Sequence, residues 1–308
     1  MKQKLFMSFS GGLSSAYMTK RVHDELSDKY EIIVLFANTG QELEKTLEFV
    51  DRCDIEYGWN VVWVEAKVYH GERRGCGHSV VNFETACRDG SVFEEVIRKY
   101  GIPNQAYPHC TRELKLNPMY SYLQSIGWNK GEYETAIGIR YDEQRRVSKK
   151  QAQDRIVYPM VDWFPTEKID VNDFWNDQPF KLGLLEHEGN CSWCWKKSFR
   201  KHSLLVSENR SIFGFPAAME ALHGLKGHNI DGNHRVFFRG NMSTRGLLDA
   251  SDSIGTFDFS GGNDDENSGC SESCEIFDMS GIKPVEGMEQ NPQYDLDDGY
   301  DVDRELEA

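Results

Sequence analysis

The chain has 308 residues, 39% of them hydrophobic, and a net charge of −15, which is enough for one large or two modest domains. The charge is concentrated: 17 of the 50 acidic residues but only 2 of the 35 basic ones follow residue 250, leaving 33 of each sign before it. The body is therefore neutral, and the acidic balance excludes neither a nucleotide nor a nucleic acid. No apolar run approaches the roughly 18 residues of a membrane span. The N-terminus lacks the layout of a signal peptide, so a cytoplasmic protein is expected. Eight cysteines in such a chain point to metal or redox chemistry more than to structural disulfides.

The apolar opening Leu5-Phe6-Met7 reads as a strand running into Ser8-Phe9-Ser10-Gly11-Gly12-Leu13-Ser14-Ser15. Gly11 and Gly12 let a ligand approach the backbone. The helix that follows, Leu13 to about Lys29, aims its free N–H groups and its dipole at an anion. Ser10, Ser14 and Ser15 add hydroxyl donors. No Gly-Lys-Ser/Thr follows, so this is not a Walker loop. A Gly-Ser turn without a ligand is the plain alternative.

Glu31–Ala37 is a continuous apolar run, as in a buried parallel strand, and it ends in Asn38-Thr39-Gly40. Gln41–Tyr57 reads as a helix and Val61–Val64 as the third strand. That alternation implies βαβ units and a parallel sheet, with ligands outside the strands' carboxyl ends. Residues 67–90 carry scattered glycines and read as a long loop. Ser91–Tyr100 and Thr111–Ile126 read as helices, the second kinked near Pro118. Glu134–Ile139 is a fourth core strand and Ile156–Tyr158 a fifth. Helices are expected at 171–177, 196–208 and 217–223, and a short strand at 236–238. After residue 250, Gly, Asp, Glu, Ser and Asn dominate, as in a disordered tail. The expected organisation is a nucleotide-binding domain over 1–165, a helical region over 166–250 and an acidic tail over 251–308.

Arg140, Arg145 and Arg146 follow the fourth strand, where guanidinium forks suit phosphate or sulfate; a solvated charge run is the alternative, preferred for Lys149 and Lys150. Cys110 opens one helical segment, and Cys191-Ser192-Trp193-Cys194 lies far downstream. A Cys-x2-Cys pair places two thiolates on one metal, and Cys110 offers a third. A redox dithiol and buried packing cysteines remain the alternatives. Cys270 and Cys274 form a second pair in the tail. Lys196, Lys197, Arg200 and Lys201 make a basic stretch after the first pair, which suits a nucleic-acid partner.

Six collinear segments together resemble the phosphoadenosine phosphosulfate (PAPS) reductase family of the adenine nucleotide α-hydrolase (PP-loop) superfamily, and its short bacteriophage members in particular. They are Ser8–Tyr17, Phe36–Gly40, Cys110–Lys115, Ile137–Arg140 with Asp142–Arg146, Tyr158–Asp162 and His187–Cys194. The resemblance implies a Rossmann-like five-stranded parallel sheet with helices on both faces, plus a small cysteine-bearing helical region. It implies ATP or PAPS held by Ser8, Ser10, Gly11, Gly12, Ser14, Ser15, Asn38, Thr39, Gly40 and Gly138. Arg140, Arg145 and Lys115 are the implied catalytic residues. Cys110, Cys191 and Cys194 are similar to the three-cysteine [4Fe–4S] sites of ATP-dependent thiolation enzymes, with zinc as the other metal. Magnesium would accompany ATP. A thiol reductant or a sulfur-donor protein is the implied partner, in the host cytoplasm if the chain is phage-encoded. Two departures stand out. The Glu-Cys-Gly-Leu-His motif of assimilatory reductases is absent, and Leu13-Ser14 replace the loop aspartate common in ATP-using members.

Overall fold

The computed structural model describes residues 2–71, 75–185, 187–189, 191–226 and 234–254. Cys270, Cys274 and the acidic tail lie outside these residues.

Four strands form the parallel centre of one sheet: β1 (Gln3–Ser8), β2 (Tyr30–Ala37), β3 (Val62–Val68) and β5 (Tyr133–Ala136), flanked by the short β6 (Ile156–Val157) and by β4 (Cys76–Val81). The strand order is β4-β3-β2-β1-β5-β6. Every pairing is parallel except β3 with β4, which is antiparallel from Trp63↔Val81 to Val68↔Cys76. The sheet thus has six strands where sequence patterning gave five, and the extra one falls in a segment read as loop. The reason is its position at an edge: Cys76 and Gly77 are buried, but Ser79 and Val80 are exposed. The strand therefore lacks the unbroken apolar run of β2. Residues 236–238 form no strand; Phe238 makes one isolated bridge to Met242.

Both sheet faces are covered, which is why Leu5–Met7 of β1 and Ile32–Ala37 of β2 are unbroken apolar runs. On one face Leu5, Met7, Val34 and Phe36 pack with residues of α1 (Leu13–Leu26), α2 (Glu44–Tyr57) and α6 (Lys168–Asn176). On the other, Phe6, Leu35 and Val64 meet Met119 and Leu123 of α4 (Asn117–Ser125). Trp175 of α6 is fully buried, and its Nε1 donates to Leu13 O at 3.0 Å, clamping the first turn of α1.

The remaining helices are α3 (Ser91–Tyr100), the single turn α5 (Pro159–Asp162), α7 (Phe199–Asn209), α8 (Gly214–His223) and α9 (Thr244–Ile254). Before α4 the chain makes a π turn, Arg112–Leu116, in which Asn117 N donates to Arg112 O five residues back. The helix expected from 111 is therefore present, but its irregularity is this wide turn. Pro118 sits in the first turn of α4, where its missing N–H costs nothing.

Candidate active site: a phosphate loop beside a cysteine pocket

The loop after β1 is shaped by contacts that leave room only for glycine. Gly11 has φ +77°, and a Cβ there would lie 2.7 Å from Thr46 Cγ2 on α2. Gly12 caps α1 without a side-chain bond. The first intrahelical bond is Ala16 N to Gly12 O at 3.0 Å, so the amides before it are the orphan donors of a helix N-terminus. Ser15 Oγ donates to Gly12 O at 2.9 Å, accepts Ser10 N at 3.3 Å and lies 3.0 Å from Ser10 Oγ. These bonds fix the curl of the loop.

The segment after β5 closes on the same loop. A Cβ on Gly138 would sit 2.9 Å from Ser15 Cα, so glycine permits the approach. Arg140, 8% exposed, donates from Nη1 to Ser14 Oγ at 3.1 Å. Its Nε and Nη2 donate to the two carboxylate oxygens of Asp142 at 2.9 and 3.0 Å. Burial raises the Asp142 pKa and the Arg140 fork lowers it, with a net shift downward. A fixed cation therefore stands against the loop. Arg145 is exposed on the turn 141–146 and makes no hydrogen bond or ion pair among the described residues. The geometry ties Arg140 to the loop and leaves Arg145 in solvent.

Asn38 and Thr39 are buried at the end of β2. Asn38 Nδ2 donates to Glu65 Oε1 at 2.6 Å and to Cys87 O at 2.9 Å, and Asn38 Oδ1 accepts Gly40 N at 3.2 Å. The Glu42 carboxylate accepts Thr39 N and Thr39 Oγ1, both at 2.9 Å. The turn is thus rigidly folded.

Thr39 also lines a second feature, a pocket walled by Phe93, Cys110, Thr111, Leu114, Lys115, Cys191, Trp193, Cys194 and Trp195. The three cysteines singled out in the sequence meet here, though 81 residues separate Cys110 from Cys191. The π turn explains how Cys110, Thr111, Leu114 and Lys115 line one wall. In an α-helix, residues five apart lie about 140° apart around the axis; the wider π turn closes that angle. Thr111 Oγ1 and Trp195 Nε1, on two of the lining residues, are buried with no hydrogen-bond partner.

Three thiols and no lining carboxylate suit a soft metal or a cluster by donor type. By arrangement they do not: among the described residues, no group of three or more His, Cys, Asp or Glu side chains is placed to hold a metal ion. The pocket gathers the thiols without forming a ligating site. Cys53 is buried in the core and Cys76 in β4, and burial pushes both thiols up, as expected of packing residues.

Lys197 departs from its sequence reading. It is 1% exposed and not part of a solvated basic run. Its Nζ donates to the carbonyls of Glu188, Ser192 and Cys191 at 2.6, 2.7 and 3.3 Å. His202 is likewise buried, which pushes it down to about 4; its Nε2 lies 3.0 Å from Cys194 O. Sequence reasoning missed Lys197, Gln41 and Glu65 because their partners are distant in the chain or are backbone carbonyls. A buried-lysine signal was hidden by the adjacent Lys196 and Arg200.

The profile of the phosphoadenosine phosphosulfate reductase domain matches residues 4–176. The match spans β1 through α6, including the phosphate loop, Asn38-Thr39-Gly40, Cys110 and Arg140. The chain belongs to that family. It is 30% identical over 287 residues to an uncharacterized nin region protein, ORF290, of Escherichia phage lambda, covering 88% of this chain and 94% of the other. It is 25% identical over 167 residues to the uncharacterized protein MJ0973 of Methanocaldococcus jannaschii, covering 52% of this chain and 33% of that one. A phage-type member with a nucleotide-binding α/β fold is thereby defined, and no described helix is long and apolar enough to cross a membrane.

Proposed function

We propose that the chain is a PP-loop enzyme that holds the phosphates of ATP or PAPS on the amides of residues 11–15 and carries out sulfur chemistry at the adjoining cysteine pocket. The observation that carries this reading is that Arg140 touches Ser14 of the loop while Thr39, at the end of the neighbouring strand, lines the pocket of the three thiols. Ser8, Ser10, Asn38, Gly40 and Gly138 shape the nucleotide side, and Lys115 stands on the cysteine side. Preorganised N–H donors and Arg140 would stabilise charge developing on a phosphate or sulfate oxygen.

Two reactions fit. In one, two thiols deliver two electrons to an adenylylated sulfate, releasing sulfite and the nucleotide and leaving a disulfide. In the other, a carbonyl oxygen attacks the α-phosphate of ATP and releases pyrophosphate, and a sulfur nucleophile then attacks the activated carbon and displaces AMP. Magnesium would accompany ATP. Cys110, Cys191 and Cys194 are the proposed holders of a [4Fe–4S] cluster, or of zinc; such a group would supply sulfur-handling or a fixed geometry. Donor type and the shared pocket support it. Iron, sulfide and zinc analysis after anaerobic purification distinguishes the two. Arg145 is proposed to reach the reacting end from solvent, and a thiol reductant or sulfur donor to serve the pocket.

The functional test is a melting experiment on the full chain with ATP and with PAPS. A raised Tm with either, followed by AMP or sulfite release, is expected. No shift with either ligand at millimolar concentration overturns the reading. A nucleic-acid substrate is the second reading, favoured by Arg200 and Lys201 on the helix after the cysteine loop. Its mark is an affinity that falls steeply with salt.

A further inference from the structure

The loop carrying Cys191 and Cys194 holds its own shape. The three bonds of the Lys197 ammonium end on Glu188, Cys191 and Ser192. Cys194 N donates to Cys191 O and Lys197 N to Cys194 O, each at 3.0 Å. All of these lie within residues 188–197, so they fix the loop internally. Its place in the molecule needs other contacts.

The Trp193 indole packs on Phe93, Phe215 and Phe237, and His202 meets Cys194 O; the polar ties toward the strand end are made by Gln41. Gln41 O accepts Ser192 N at 2.9 Å, and Gln41 Oε1 accepts the indole Nε1 of Trp193 at 2.5 Å. The next residue, Glu42, pairs with Cys191 in an antiparallel bridge. Gln41 Nε2 donates to Gly40 O at 3.0 Å, so the amide is engaged at both ends. There is no slack around it: a Cβ on Gly90 would lie 2.4 Å from Gln41 Nε2. Cys110, by contrast, comes from the π-turn segment and is not carried by this loop.

We propose that Gln41 is a positioning residue that couples nucleotide binding to the cysteine pair. The Asn38-Thr39-Gly40 turn borders the proposed nucleotide, and Gln41 is the next residue. Any shift of that turn on binding moves Gln41, and with it Trp193 and the loop of Cys191 and Cys194. The placement of Cys191 and Cys194 opposite Cys110 then depends on the nucleotide. The inference rests on the nucleotide reading and adds a link between its two halves. Coupling of binding free energies is reciprocal, so a ligand that occupies the thiols would alter nucleotide affinity in turn.

The test is the rate at which iodoacetamide alkylates Cys191 and Cys194 in the full chain, stripped of metal with a chelator and read by peptide mass spectrometry. Saturating ATP or PAPS is expected to change the wild-type rates about fivefold or more. Gln41→Met is expected to bind nucleotide, by thermal shift, yet to show less than about a twofold response. A role in stability alone would lower Tm and leave the response intact. Gln41→Met with the wild-type response overturns the inference, as does a wild type that binds nucleotide without any change in alkylation. A wild type that binds neither nucleotide overturns the functional reading first. Should Gln41→Met fail to fold, Trp193→Phe removes the indole N–H together with part of the ring packed on Phe93 and Phe237, and is judged by the same criterion.

Discussion

The Gly11–Gly12 loop and the cysteine pocket border the same strand ends but are built in opposite ways. The loop's internal hydrogen bonds are local, within residues 10–16, and Trp175 and Arg140 brace it from outside. The pocket is assembled from the turn after β2, the π turn after Cys110 and the 188–197 loop, joined by tertiary hydrogen bonds. A locally built site tolerates distant change and fails at one backbone position. An assembled site fails through any of its ties.

The sharpest way to break this comparison is Gly11→Val. Its φ of +77° and the 2.7 Å approach to Thr46 Cγ2 combine left-handed strain with overpacking. The expected loss is about 2–4 kcal/mol of stability in urea unfolding, with nucleotide binding abolished. A stable Gly11→Val chain that still binds ATP would show that the loop is not held as described. Next comes Lys197→Met, which removes a donor from the carbonyls of Glu188, Ser192 and Cys191, the last of which keeps Cys194 N. It should cost about 2–3 kcal/mol and increase alkylation of Cys191 and Cys194 while leaving ATP affinity within about fivefold. Equal damage to both sites would mean that they are not separately built.

Legibility in the sequence followed the same division. The loop, the parallel centre of the sheet and the Asn38-Thr39-Gly40 turn were readable because each is encoded by contiguous residues: an apolar run, a glycine pair, a strand end. The cysteine triad was nameable by spacing and family resemblance, but its surroundings were not. Glu65 is one of several acidic residues in a strand–helix region until Asn38 and Cys87 N are seen to converge on it at 2.6 Å. Lys197 looks like part of a basic surface because burial is a property of the fold. The edge strand β4 was obscured by Gly75 and Gly77 and by its exposed Ser79 and Val80. The π turn has no single-residue signature; it shows only in the Asn117-to-Arg112 bond.

Two arginines refine the comparison at smaller scale. Arg140→Lys loses the paired hold on Asp142 and the bond to Ser14, and should weaken nucleotide binding about tenfold in calorimetry, or about 1.4 kcal/mol. Its stability should change little, since the loop's own bonds remain. Arg145→Ala alters an exposed side chain and should leave nucleotide affinity within about twofold; a change in turnover alone would place Arg145 at the reacting end. If Arg145→Ala weakened binding more than Arg140→Lys, the ranking drawn from the geometry would be reversed.

The central claim is that an adenine nucleotide sits with its phosphate on the Gly11–Ser15 amides, against Arg140 and next to the three-thiol pocket. A crystal structure of the full chain with a non-hydrolysable ATP analogue or with adenosine 3′,5′-bisphosphate tests this directly. The account predicts phosphate density within hydrogen-bond reach of those amides and the Arg140 guanidinium. Density bound elsewhere, or none at a saturating concentration with the loop unobstructed by the lattice, contradicts it.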